Sequence, residues 1–137
     1  IERESNTLQS LGQAWQLSQE VDNAIDIFEE AAKLADDGKI YERLSYLYLE
    51  DDQFERCVDS ANGALDKGGL RKAQSVHIVK GMCHYNLDKL SDARDAFVQC
   101  RRVARREDDK PNQRTCGQWI TFIDRETARL KQLAAAG

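Results

Sequence analysis

The sequence predicts an all-α solenoid of three stacked helix-turn-helix repeats, closed at the C-terminal side by one further helix. Three observations lead there. Stretches of about a dozen residues with apolar positions at helical spacing alternate with short polar turns. Their small and aromatic positions recur together, stepping by 33 and then 36 residues. The only proline, Pro111, stands where a last helix would begin.

The first repeat, about residues 5–37, reads "LQSLGQAWQLSQEVDNAIDIFEEAAKL", two amphipathic segments around the turn "SQEVD". The second, about 38–70, reads "YERLSYLYLEDDQFERCVDSANGAL", and the third, about 73–106, "HIVKGMCHYNLDKLSDARDAFVQCRRV". Four slots can be followed by subtraction. They hold Gly12, Ser45 and Gly81; Ala24, Cys57 and Ala93; Phe28, Ala61 and Phe97; and Ala31, Ala64 and Cys100. Two helices of a hairpin approach closely only where no large side chain intervenes, which is why Gly, Ser, Ala and Cys share these positions. Each hairpin alone buries only part of its apolar surface, so hairpins stack. The three residues that lengthen the second step lie in "DKGGLRKAQ", where Gly68 and Gly69 suit a left-handed helix end. The shorter "DDGK" is expected to do the same with Gly38. Residues 111–134 complete the array as a closing helix, with Gly117 standing 36 residues after Gly81.

The slots resemble the tetratricopeptide repeat, a helix-turn-helix unit of about 34 residues. Leu11, Gly12, Trp15, Ala24, Phe28 and Ala31 match its pattern in the first repeat, and Gly81, Ala93 and Phe97 in the third. The second carries Leu44, Ser45, Tyr48, Cys57, Ala61 and Ala64. That resemblance implies a single domain over 1–137 that binds proteins. The opening "IERESNTLQS" lacks an initiator Met and reads as the edge of a fragment. A truncated first helix would expose core surface, so self-association through the N-terminal edge is expected. Read more narrowly, "KGGLR" and the late "QWITFIDRE" resemble the C-terminal part of bacterial repeat proteins associated with TonB–ExbB–ExbD systems. This resemblance implies an accessory scaffold for iron-complex uptake, working in the periplasm, with a cytoplasmic location as the alternative.

Composition narrows the partners. The chain has 137 residues, is 32% charged and carries a net charge of −4. That balance offers no broad positive field for nucleic acid. No apolar run approaches the roughly 20 residues needed to cross a bilayer, so no direct membrane insertion is expected. There is no glycine-rich phosphate loop, HExxH motif or nucleophile elbow, and an enzyme is not expected. No cofactor is implied. "CRRVARRE" gathers Arg101, Arg102, Arg105 and Arg106, which read as the solvated face of a second helix.

The cysteines and histidines fall in packing slots. Cys57 shares its slot with Ala24 and Ala93, Cys83 with Ala14 and Leu47, and Cys100 with Ala31 and Ala64. Cys116 falls in register with Leu11 and Leu44. His84 aligns with Trp15 and Tyr48, and His77 with Leu8 and Tyr41. A metal or redox module would need Cys83, His84, Cys100 and Cys116 to converge, yet neighbours on a helix such as Cys83 and His84 point about 100° apart. Buried Cys more often acts as a small hydrophobe. Cys100 faces the next first helix, where Cys116 lies. In an oxidising compartment a Cys100–Cys116 bond would staple the closing helix to the array.

First helices line the concave side of such arrays. Helical phase assigns to that side Gln9, Gln13, Gln16 and Leu17; Glu42, Tyr46, Leu49 and Glu50; Ile78, Met82, Tyr85 and Asn86; and Arg114, Gln118 and Phe122. Gln13, Glu42, Tyr46, Leu49, Ile78, Met82, Tyr85, Gln118 and Phe122 form the expected groove for a protein or peptide partner. Some of these side chains would instead seal one repeat against the next. Repeats that clamp a C-terminal carboxylate use Lys and Asn on these helices. Glu42 at a matching position would repel a carboxylate.

Overall fold

The computed structural model describes residues 21–137. Six α-helices run through them: α1 Val21–Leu34, α2 Lys39–Glu50, α3 Phe54–Lys67, α4 Ala73–Asn86, α5 Leu90–Arg106 and α6 Lys110–Ala136. Helix α1 is the second helix of the first repeat. The expected first helix of that repeat, with Gly12, and the expected N-terminal edge fall outside the described residues. Helices α2 with α3 and α4 with α5 are the second and third repeats.

The slots read from the sequence are the core. Ala24, Phe28, Ala31, Ser45, Cys57, Ala61, Ala64, Ala93, Phe97 and Cys100 are all fully buried. A Cβ on Gly81 would meet the Phe97 ring at 2.6 Å, so glycine sets the distance between α4 and α5. Ser45 keeps its hydroxyl satisfied inside the stack by donating to the Glu42 carbonyl at 2.6 Å. First helices of successive repeats touch, α2 with α4 and α4 with α6. The first helices α2, α4 and α6 therefore form one continuous layer of the array.

Three turns use a device that the sequence did not announce. Asp52, Asp88 and Asp108 adopt φ of 57°, 59° and 54°. The following amides donate back across the helix end: Gln53 to the Tyr48 carbonyl at 2.8 Å, Lys89 to His84 at 2.9 Å and Asp109 to Ala104 at 2.7 Å. This is the six-to-one bond of a Schellman end, with Asp in the left-handed position usually given to Gly. Gly68 and Gly69 do have positive φ, both 71°, as expected. Gly38 does not. It precedes α2 with φ −89°, and a Cβ there would lie 2.2 Å from the Ala64 carbonyl oxygen. Its amide donates to the Gly68 carbonyl at 2.8 Å. Close approach between neighbouring junctions, not handedness, requires this glycine.

Lys67 ties the first repeat to the second. Its ammonium donates to the carbonyls of Ala32 at 3.0 Å and Ala35 at 2.7 Å, at the end of α1. A cation there also suits the helix dipole. Helix α6 starts at an Asp109 cap, whose carboxylate accepts from the Asn112 amide, with Pro111 in the first turn. At 27 residues it is longer than the expected 111–134, and its last turns stand exposed, with Leu130 at 46% and Leu133 at 57%.

Candidate interaction surface

The inner layer is built by α2, α4 and α6. On α4, Ile78, Met82 and Tyr85 are half-buried and pack in one cluster with Ala93, Phe97, Trp119, Ile120 and Ile123. Trp119 lies flat on Phe97, centroids 4.8 Å apart and planes within 5°. Tyr85, Trp119 and Phe122 then meet edge to face, at 5.6–5.8 Å. Such pairings contribute beyond simple area burial and hold the rings in fixed orientations. Phe122 is 41% exposed. With Thr115, Gln118 and Trp119 it borders a hollow of about 290 Å³.

The expected groove is thus divided. The structure brings together Ile78, Met82, Tyr85 and Phe122, with Gln118 at the rim. Leu49 belongs to a different cluster, with Ile40, Leu44, Leu47 and Tyr48. Tyr46 is 39% exposed and donates to a Glu42 carboxylate oxygen on its own helix at 2.6 Å. Burial, followed by this bond to an anion, pushes the phenol above its ordinary range. Gln13, like Gln9, Gln16 and Leu17, lies outside the described residues. Trp119 was not among the expected groove residues. It stands 36 residues after Cys83, in a slot that holds Leu47 in the second repeat, and that register was the available signal.

A second hollow of about 500 Å³ lies between α1, α2 and α3, lined by Glu29, Tyr41, Tyr48 and Gly63 among others. The Tyr48 hydroxyl donates to the Glu29 carboxylate across it. A Cβ on Gly63 would come within 3.2 Å of the Tyr41 ring, so ring and glycine are matched.

All four cysteines are paired in the structure. Cys100 joins Cys116, with Cα atoms 6.1 Å apart, between α5 and α6. Cys57 joins Cys83, with Cα atoms 6.4 Å apart, between α3 and α4. This corrects the reading of Cys57 and Cys83 as separate small apolar fillers. Both bonds link the second helix of one unit to the first helix of the next. Among the described residues no group of three or more His, Cys, Asp or Glu is placed to hold a metal ion.

His77 and His84 are packed as the register implied. The Nδ1 atom of each is buried without a hydrogen-bond partner among the described residues. Burial lowers both pKa values, aided at His77 by Lys80; at His84, Lys80 and Lys89 act with burial while Asp92 opposes it. An unfolded chain then takes up protons first. Their contribution to stability is full above about pH 6.5 and falls as pH drops toward the folded-state values. Urea titrations between neutral and mildly acidic pH should show that decline. His84→Tyr, which places there the residue found at Tyr48, should lessen the decline and leave the part due to His77.

The sequence matches no family model and no curated protein. The fold matches solved tetratricopeptide-repeat domains. The first such domain of Spaghetti (RPAP3) bound to the HSP90 peptide SRMEEVD superposes with a TM-score of 0.77 at 16% identity, over 93% of this chain and 96% of that one. The TPR2B-domain:pHsp70 complex of yeast Sti1 gives 0.78 at 14% identity, over 90% and 98%. PcrH in complex with the chaperone binding region of PopD gives 0.79 at 17% identity, over 93% and 96%. Among the described residues, no helix is long and apolar enough to cross a membrane.

Proposed function

We propose that this chain is a non-enzymatic scaffold that takes a peptide or helical segment of a partner protein on the face made by α2, α4 and α6. The observation that carries the reading is the Tyr85–Trp119–Phe122 group, rigid beneath and open at Phe122 beside its hollow. Preoriented aromatics at a shallow groove lose little freedom on binding, which suits anchoring of an apolar side chain. Similar solved domains carry peptide or protein partners, which agrees with this use of the fold.

The recognition proposed here differs from capture of a terminal carboxylate. Glu42 and Tyr46 occupy the α2 part of the face with a carboxylate and a phenol that donates to it. An incoming carboxylate would meet negative charge there, whereas a basic or hydroxyl-bearing side chain would find an acceptor. The preferred ligand therefore has an apolar or aromatic anchor for α4 and α6 and a donor for Glu42.

The working environment we propose is oxidising, specifically the periplasm, as part of a TonB-type transport assembly. Four paired cysteines suit such a compartment. The TonB association rests on the resemblance of "KGGLR" and the closing helix. Selection of displayed peptides on the folded protein tests the binding surface. Tyr46→Ala and Phe122→Ala should each weaken selected peptides about tenfold, the loss typical of one anchor. Undiminished affinity for both variants would place recognition elsewhere.

A further inference from the structure

Helix α6 enters in the register of a first helix and packs on α5 of the preceding unit, but among the described residues no second helix of its own unit packs on it as α5 packs on α4. The register position makes the vacancy concrete. Gly81 on α4 is filled by Phe97 of α5, whose ring lies 2.6 Å from where a Cβ would stand. Gly117, the equivalent residue 36 positions later, has nothing within 4 Å of that point. It opens into a groove of about 620 Å³ bordered by Arg101, Arg114, Gln118, Thr121, Phe122 and Arg125. Buried Cys116, Ile120 and Ile123 face the other way, into the array. Phe122 is the ridge between this groove and the face described above.

The charge of the groove indicates what would fill it. The chain carries a net charge of −4, yet three arginines converge here. Among the described residues none of the three makes an ion pair or a side-chain hydrogen bond, whereas Arg94, also on the α5–α6 side, is held by Asp124 at 2.8 Å. Arg102, Arg105 and Arg106 are exposed on α5 and add to the same sign. We propose that the outer face of α6 is a docking site for an acidic amphipathic helix of a partner protein. Such a helix would pack as α5 packs on α4. An apolar side chain would enter the space at Gly117, and flanking carboxylates would pair with Arg101, Arg114 and Arg125. This site shares Gln118 and Phe122 with the inner face at its rim, and Arg114, read from helical phase as a concave-side residue, borders it. It rests on Gly117 and the three arginines, which the inner-face reading does not use.

Synthetic helical peptides test the proposal by fluorescence anisotropy with the full chain. One is Glu-rich with a central Phe, one has Lys for Glu, and one has Ala for the Phe. The Glu/Phe peptide should bind, and the other two should bind at least about tenfold more weakly. Gly117→Leu, which fills the space, and Arg114→Glu with Arg125→Glu should each remove most of the binding, with circular dichroism unchanged. Tyr46→Ala should leave it intact, which separates failure of this site from failure of the inner face. Equal binding of the Lys peptide, or no effect of Gly117→Leu, would overturn the proposal. So would a dimer in sedimentation that Gly117→Leu dissolves, since a second copy would then be the occupant. Tighter binding of a single-stranded oligonucleotide, insensitive to Gly117→Leu, would mean that the face reads charge alone.

Discussion

Replacing Cys57 and Cys83 together by alanine is expected to lower the unfolding free energy by about 3 kcal/mol, and the same exchange at Cys100 and Cys116 by about as much. The bonds close loops with sequence separations of 26 and 16 residues. Loop entropy depends only logarithmically on length, so the two losses should differ little. Alanine suits the test because it already occupies the Cys57 slot at Ala24 and Ala93 and the Cys100 slot at Ala31 and Ala64. Both bonds cross the interface between successive units, and neighbour interfaces are what make a repeat array unfold as one body. Urea unfolding of the quadruple alanine variant should therefore show a lower midpoint and a broader, shallower transition. Wild-type protein with reductant should approach the same curve. An unchanged wild-type midpoint under reductant would mean that the pairs are not formed in solution. Loss of both bonds, together about 6 kcal/mol, is comparable to the entire stability of many single domains.

These bonds show what was legible in the sequence and what was overlooked. Aligning each residue with its counterparts one repeat away revealed the helices, their order and nearly every core position. That comparison asks which residues are equivalent, not which face each other. Cys57 and Cys83 lie 13 residues either side of Leu70, and Cys100 and Cys116 lie eight either side of Asp108. Antiparallel helices bring residues equidistant from a turn to the same level, so both pairings were available from the turn positions. Only the shorter was read. The turns themselves were partly hidden because Asp52, Asp88 and Asp108 take a conformation usually signalled by glycine, while Gly38 serves spacing instead. Helical phase grouped Ile78, Met82 and Tyr85 of α4 with Phe122 of α6, and the structure brings these four together. Phase could not divide residues that seal one helix to the next, such as Ile78 and Met82, from those left open, such as Tyr46 and Phe122. That division depends on the helix separations, which Phe97 and Trp119 set.

Gly81→Ala and Gly117→Ala should change stability in opposite directions, although the two glycines occupy equivalent helical positions. Alanine in a helix interior is worth up to about 1 kcal/mol over glycine. At Gly117 nothing stands within 4 Å, and the substitution should simply stabilise α6 by roughly that amount. At Gly81 the new methyl would lie 2.6–2.9 Å from three atoms of the Phe97 ring. Phe97 is fully buried and has Trp119 stacked on its face at 4.8 Å, so it has little room to retreat. Overpacking of this kind costs about 1–3 kcal/mol, and this contact belongs at the upper end because a ring, not a flexible chain end, must move. Propensity then offsets only part of the clash, leaving a net loss of about 2 kcal/mol. Phe97→Leu shortens the intruding side chain and should rescue part of the Gly81→Ala loss. The double variant should be more stable than the sum of the single losses implies. In a Trp15→Phe background, the emission of Trp119 should shift with Gly81→Ala and remain unchanged with Gly117→Ala. Equal effects at the two glycines would mean that Phe97 does not set the distance between α4 and α5. The aromatic group at the inner face would then lack the rigid support on which the binding reading depends.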